Sequence, residues 1–165
     1  MRIYGIIGWQ NSGKTTLVEA VVANLTARGI SVSTVKHVHH DVDLDRPGKD
    51  SFRHREAGAR EVVVAGAKRF AILHENRGAE PALAEVLARL SPVDLVLVEG
   101  YKRDSHPKIE VWRAGVADRP MIQLDDPTVR AVASDCADLG LTVPILDLND
   151  PAAIADFILQ EVGLG

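Results

Sequence analysis

The sequence predicts an α/β fold: a mostly parallel sheet flanked by helices, with added antiparallel strands. Three observations predict it. Short runs rich in β-branched residues alternate with stretches whose apolar residues recur at helical spacing, which is the element order of βαβ architecture. The first strand-to-helix junction, Gly8-Trp9-Gln10-Asn11-Ser12-Gly13-Lys14-Thr15, spells G-x-x-x-x-G-K-T, and a strand before and a helix after are the context in which that pattern holds phosphate. Farther on, Val93-Asp94-Leu95-Val96-Leu97-Val98 is nearly continuous apolar sequence ending in Glu99, as expected of a strand buried on both faces with a carboxylate at its carboxyl end.

Taken in order, Ile3–Ile7 reads as a buried strand, and the helix beginning near Lys14 carries Val18, Val21, Val22 and Leu25 on one face, with Gly29 as its stop. Residues 30–35 alternate apolar and polar, as an edge strand does. Residues 36–50 are polar and interrupted by Pro47-Gly48, so they form a long connection beyond the end of the second strand. A short helix capped by Asp50 and stopped at Gly58 follows, then strands at 61–65 and 70–73 around a Gly66-Ala67-Lys68 turn. Residues 79–90 show Leu83, Val86, Leu87 and Leu90 at helical spacing with Pro81 in the first turn. After the Val93–Glu99 strand come a basic loop, 101–108, and a strand, 109–112. Further strands are expected at 121–124, 129–133 and 143–146, and Asp150-Pro151 opens a last helix bearing Ile154, Phe157, Ile158 and Val162. With 165 residues and no linker or repeat, the whole chain, 1–165, is expected to form a single P-loop nucleotide-binding domain.

The chemistry of a phosphate loop accounts for its residue types. Consecutive backbone N–H groups must wrap an anion, and glycines let the backbone approach closely and take unusual dihedrals. The expected nucleotide-binding set is Gly8, Gln10, Asn11, Ser12, Gly13, Lys14, Thr15 and Thr16. Lys14 is expected to reach the β- and γ-phosphates and Thr15 to offer its hydroxyl to Mg²⁺, with the helix N-terminus adding attraction. Glu99 stands where such folds place the acid that holds Mg²⁺ or polarises water, so Lys14 and Glu99 are the expected catalytic pair, and Thr15, Glu99 and Asp50 the expected Mg²⁺ set. The cations His37, His39, His40, Lys49, Arg53 and Lys102 suggest a second anionic ligand. In the basic loop, Arg103, His106 and Lys108 are further candidates for phosphate contact.

Composition narrows the class. Hydrophobic residues make up 46% and charged residues 25%, ordinary globular usage. The formal charge of −4 offers no basic excess for general nucleic-acid binding. A single cysteine, Cys136, read as a small buried apolar residue, permits no internal disulfide. The N-terminus lacks a signal-peptide pattern and no apolar run is long enough for a membrane span, so the expected location is cytoplasmic.

Residues 8–15, the stretch Lys36-His37-Val38-His39-His40, the segment Pro47-Gly48-Lys49-Asp50-Ser51-Phe52-Arg53-His54, and Val98-Glu99-Gly100-Tyr101-Lys102 with Pro107-Lys108-Ile109-Glu110-Val111 together resemble the MobB family, molybdopterin-guanine dinucleotide biosynthesis protein B. The match is dense to Trp112 and thinner beyond it. The resemblance implies a GTP-binding accessory protein with weak GTPase activity, a homodimer that assists the molybdenum cofactor guanylyltransferase. It also implies GTP and Mg²⁺ as cofactors and molybdopterin as the second ligand. The base reader Asn-Lys-x-Asp is absent, and the nearest strand-end candidates are Ser134-Asp135 and Asp147-Leu148-Asn149. A small-molecule kinase, with Arg53 and Arg55 on a lid, and a metallochaperone-like switch, with metal on His37, His39 and His40, remain the alternatives. A dinucleotide-dependent dehydrogenase is disfavoured because G-x-G-x-x-G does not follow the first strand.

Overall fold

A computed structural model describes residues 1–38, 43–116 and 120–165, which fall into two compact units, 1–37 with 90–165, and 38–89. His39 and His40, expected at the second anion, lie outside the described residues.

The first unit is built on a six-stranded sheet of β1 (Arg2–Ile7), β2 (Val32–Lys36), β5 (Leu95–Glu99), β6 (Lys108–Trp112), β7 (Val129–Ser134) and β8 (Ile145–Asp147), ordered β2-β5-β1-β6-β7-β8. Every pairing in it is parallel. β5 is buried at all five positions, as its uninterrupted apolar run requires, and the alternating β2 takes the edge beside it. Helices α1 (Lys14–Ala27) and α4 (Pro151–Val162) pack together on one face. Leu17, Val21 and Leu25 of α1 and Ile154 and Ile158 of α4 share one core with Tyr4, Ile6, Leu95, Leu97, Ile109 and Val111. Asp150 caps α4, its carboxylate accepting the Ala153 N–H at 3.0 Å.

Strand alternation puts Lys108 and Glu110 on the face opposite Ile109 and Val111. Both are fully buried. Lys108, expected in a loop and available to phosphate, is instead the first residue of β6. Its ammonium donates to the Asp104 carbonyl, to Thr128 Oγ1 at 2.6 Å and to Asp126 Oδ2 at 3.3 Å. His106 packs on β1 at Gly5, where a Cβ would stand 2.6 Å from its Nε2. The expected strand at 121–124 is a 3₁₀ turn, η1 (Ile122–Leu124). The Glu110 carboxylate draws the turn's first N–H groups onto itself, so they are not left to pair with a neighbouring strand. Cys136 is half-buried just past β7.

The second unit holds α2 (Asp50–Glu56), the antiparallel pair β3 (Glu61–Ala65) and β4 (Phe70–His74), and α3 (Leu83–Leu87). Asp50 is the first helical residue of α2, not its cap, and Lys49 holds the extended cap position. Asp45 organises the approach to α2, its carboxylate accepting from the Ser51 hydroxyl and the Arg46 N–H, both at 2.9 Å. α3 is shorter than the 79–90 periodicity suggests. Ala82 is extended after Pro81 and its N–H is taken by the Glu85 carboxylate at 2.9 Å. The Pro92 ring disfavours helix in the residue before it. The β3–β4 pair leaves Val63, Ile72 and Phe70 exposed.

Candidate functional site

The loop between β1 and α1 takes left-handed dihedrals at Gly8 (φ 147°), Asn11 (φ 63°) and Gly13 (φ 97°). Gly8 requires glycine for a further reason, because a Cβ there would stand 2.4 Å from the Val111 carbonyl oxygen of β6. One at Gly13 would stand 3.4 Å from the Arg113 guanidinium, an ordinary van der Waals contact. The loop therefore lies directly on the end of β6. Ser12 is buried and its hydroxyl has no hydrogen-bond partner, while the first N–H groups of α1 lack acceptors within the helix. Orphaned donors at a helix N-terminus beside a lysine are a cradle that phosphate oxygens fit.

The Lys14 ammonium folds back and donates to the Trp9 carbonyl at 2.6 Å. Its burial, and then the nearby Lys102 ammonium, hold its pKa below the usual lysine range. Trp9 itself is held from two sides: its indole N–H donates to the Pro120 carbonyl at 2.9 Å, and the Lys102 ammonium sits 4.1 Å from its ring centroid. Thr15 begins the chemistry across the sheet. Its hydroxyl donates to Glu99 Oε1 at 2.9 Å, and Lys36, paired with Glu99 in the β2–β5 register, brings its ammonium to 3.4 Å from both Thr15 Oγ1 and Glu99 Oε1. Beyond Glu99, Gly100 (φ 97°) must be glycine because a Cβ there would stand 2.8 Å from that of His37. His37 stacks on Tyr101 at 4.4 Å between centroids.

The first unit thus assembles residues 8–16, Glu99, His37 and Lys102 at the carboxyl ends of β1, β2 and β5, where open parallel sheets bind ligands. Lys49, Asp50 and Arg53 belong to the second unit. There Arg55, the possible lid cation, is engaged by Asp43 and Glu75 at 2.8 and 2.7 Å. A cavity of about 620 Å³ in that unit includes Arg60, His74, Arg77 and Arg89 in its lining. Of these, Arg77 is spent on the Gly58 carbonyl at 2.6 Å, and His74 and Arg89 on Glu61 at 2.7 and 2.9 Å. Among the described residues no group of three or more His, Cys, Asp or Glu side chains is placed to hold a metal. Thr15 and Glu99 alone suit a cation that takes its remaining ligands from phosphate and water, the habit of Mg²⁺. Of the strand-end candidates for reading a base, Ser134 is buried with its hydroxyl accepting the Cys136 N–H at 3.0 Å, while Asp135, Asp147 and Asn149 are exposed, Asp147 accepting from the Asn149 N–H at 2.8 Å.

Two residues at the site escaped the sequence reading. Lys36 lay in a stretch examined for its histidines, and Arg113 follows β6 outside any pattern. Each directly follows or ends a strand adjacent to a central one, and strand-end position was the signal that could have found them.

Fold and loop define the class: a parallel α/β protein with the G-x-x-x-x-G-K-T pattern between its first strand and first helix. The chain belongs to the MobB family, whose model, described as molybdopterin guanine dinucleotide synthesis protein B, matches residues 3–135. It is 43% identical over 155 residues to the molybdopterin-guanine dinucleotide biosynthesis adapter protein of Escherichia coli, covering 92% of this chain and 88% of that one. The Haemophilus influenzae protein of the same name is 41% identical, covering 94% and 86%. Among solved structures, a MobB homolog from Bacillus stearothermophilus superposes with a TM-score of 0.72 at 28% identity over 100% of both chains, and Bacillus subtilis MobB with 0.75 at 26% over 98% of both.

Proposed function

We propose that this protein binds GTP with Mg²⁺ in the cradle of residues 8–16 and acts as an adapter in molybdenum cofactor biosynthesis, assisting the guanylyltransferase that joins GMP to molybdopterin. The adapter names of its relatives support the pathway. The observation that carries the nucleotide reading is the 2.9 Å bond between Thr15 and Glu99, which joins the phosphate loop to the strand-end acid across 84 residues of sequence. In this reading Lys14 leaves the Trp9 carbonyl for phosphate, and Thr15 and Glu99 hold the cation, which supplies charge neutralisation between phosphate oxygens. Glu99 also stands where it can orient water for slow hydrolysis. The same reading assigns Asp50 to Mg²⁺ as a further acid, directly or through water, and His37, His39, His40, Lys49, Arg53 and Lys102 to molybdopterin, the second anion. The preference for guanine comes from the family resemblance. The working protein is a cytoplasmic homodimer, each chain acting as one nucleotide-binding domain.

Titration of the pure protein with Mg·GTP and Mg·ATP tests the core of this reading. GTP is expected to bind more tightly than ATP, and Lys14→Ala to weaken it by about tenfold or more, as loss of a charge-assisted phosphate contact does. Undiminished binding by Lys14→Ala, or none by the wild type at millimolar nucleotide, defeats it. A guanylation assay with the partner enzyme and molybdopterin tests the adapter role, which falls if the rate is indifferent to this protein.

A further inference from the structure

Arg113 follows β6 directly and places its guanidinium against the phosphate loop. A Cβ built on Gly13 would lie 3.4 Å from its Nε and 3.4 Å from its Nη2. Its Nε–H is buried and has no hydrogen-bond partner, and among the described residues it has no acidic partner. Arg113 as a whole is half-buried, but an N–H withdrawn from water and left unpaired is costly, so such groups are ordinarily satisfied. Within the site the Trp9 carbonyl takes Lys14, and Glu99 takes Thr15 and Lys36, while the neighbouring Asp135 accepts the Ala114 N–H at 3.4 Å and makes no bond to the guanidinium.

We propose that Arg113 is a phosphate-binding residue, its guanidinium donating to phosphate oxygens of the nucleotide cradled by residues 8–16. The proposal rests on the nucleotide-binding reading and adds to it a cation supplied from β6, outside the loop pattern. A guanidinium suits the task because its planar donors match phosphate oxygens and stay charged at any working pH. The placement is held by the sheet, since Ile7 pairs with Glu110 and Gly8 rests on the Val111 carbonyl. Gly13 is required by its left-handed backbone, and the guanidinium lies within van der Waals contact of where its Cβ would stand.

The test compares Mg·GTP binding and ligand-free thermal stability in the full chain for wild type, Arg113→Met, Arg113→Lys and Lys14→Ala. Arg113→Met is expected to leave ligand-free stability nearly unchanged and to weaken GTP by about tenfold, while Arg113→Lys, which keeps the charge but not the planar fork, loses less than Met. Both substitutes pack against Gly13, so only a role of charge separates them. In the wild type, the Arg113 Nε–H resonance is expected to shift and gain exchange protection when Mg·GTP is added, a readout that needs no variant to fold. Equal binding by Met and Lys variants, or an unmoved resonance in the nucleotide-bound protein, overturns the proposal. Binding that depends on Lys14 but not on Arg113 defeats this inference alone. Absent binding, or binding indifferent to Lys14, defeats the nucleotide reading beneath it.

Discussion

Two buried glutamates flank β1, one on each neighbouring strand, and they are held in opposite ways. Glu99, at the end of β5, is bonded by the Thr15 hydroxyl and approached by the Lys36 ammonium. Glu110, on β6, receives the backbone N–H groups of Ile122 and Gln123, one on each oxygen, at 3.0 and 2.8 Å. Side-chain partners can swing away to admit a cation, whereas main-chain donors are fixed by the turn they belong to. Burial raises the Glu110 pKa above the usual carboxylate range, and its two backbone bonds offset only part of that. The difference teaches that burial at a strand end does not by itself mark chemistry. Displaceable partners do.

The largest expected effect falls on the structural member. Glu110→Ala strands two part-buried backbone donors, at up to about 1–3 kcal/mol each, so urea unfolding is expected to show a loss of roughly 2–4 kcal/mol. Thermal unfolding should shift in the same direction. A loss below about 1 kcal/mol would mean that water or a rebuilt turn satisfies those donors, and the contrast with Glu99 would collapse. Glu99→Gln comes next and acts elsewhere. Stability should change by about 1 kcal/mol or less, because the amide oxygen still accepts from Thr15. Mg²⁺-dependent strengthening of GTP binding should fall by about 10–100-fold, the usual consequence of disturbing a metal's immediate surroundings. Isothermal titration with and without Mg²⁺ checks this, and an unchanged Mg²⁺ effect removes Glu99 from the cation's shell.

The same contrast explains what was legible in the sequence. The loop at 8–15 and the run into Glu99 were visible because their residue types are constrained locally, by a strand, a tight turn and a helix start. Both were then joined by one hydrogen bond that spacing alone could not specify. Glu110 stands in the sequence only within the segment 107–111 of the family resemblance. Its partners lie 12 and 13 residues on, in a stretch whose Met121, Ile122 and Leu124 imitate a strand until a carboxylate takes its N–H groups. Lys108 failed for a related reason. A lysine after His-Pro reads as solvated, and nothing local announces Asp126 and Thr128, which make its burial tolerable. The helix at 79–90 was overextended because periodicity continues through Pro81 and Ala82, where the backbone does not. A mostly parallel sheet, by contrast, is implied by helices alternating with apolar runs, whereas the strand order β2-β5-β1-β6-β7-β8 needed the structure.

The smallest effect tests the packing behind the Glu110 face. His106 is folded onto Gly5 with both ring nitrogens buried and unbonded. Burial first, and then the Lys108 ammonium, lower its pKa below the ordinary 6.5, against the weaker pull of Asp104 and Asp126. A histidine kept neutral in the fold binds fewer protons there than in the unfolded chain. Stability is therefore intact above the unfolded-state pKa of 6.5 and is lost as pH falls from there towards the folded-state value. One proton limits the slope to about 1.4 kcal/mol per pH unit. Glu110 contributes with the opposite sign, since a carboxyl with a raised pKa loses stability as pH rises from the carboxylate range. Urea unfolding measured between about pH 5 and 6.5, in the region of the unperturbed histidine pKa, should thus fall on acidification in the wild type and flatten in His106→Leu. A variant curve parallel to the wild type would show that His106 protonates freely in the fold, and that the ring on Gly5 opens to water more readily than its burial implies.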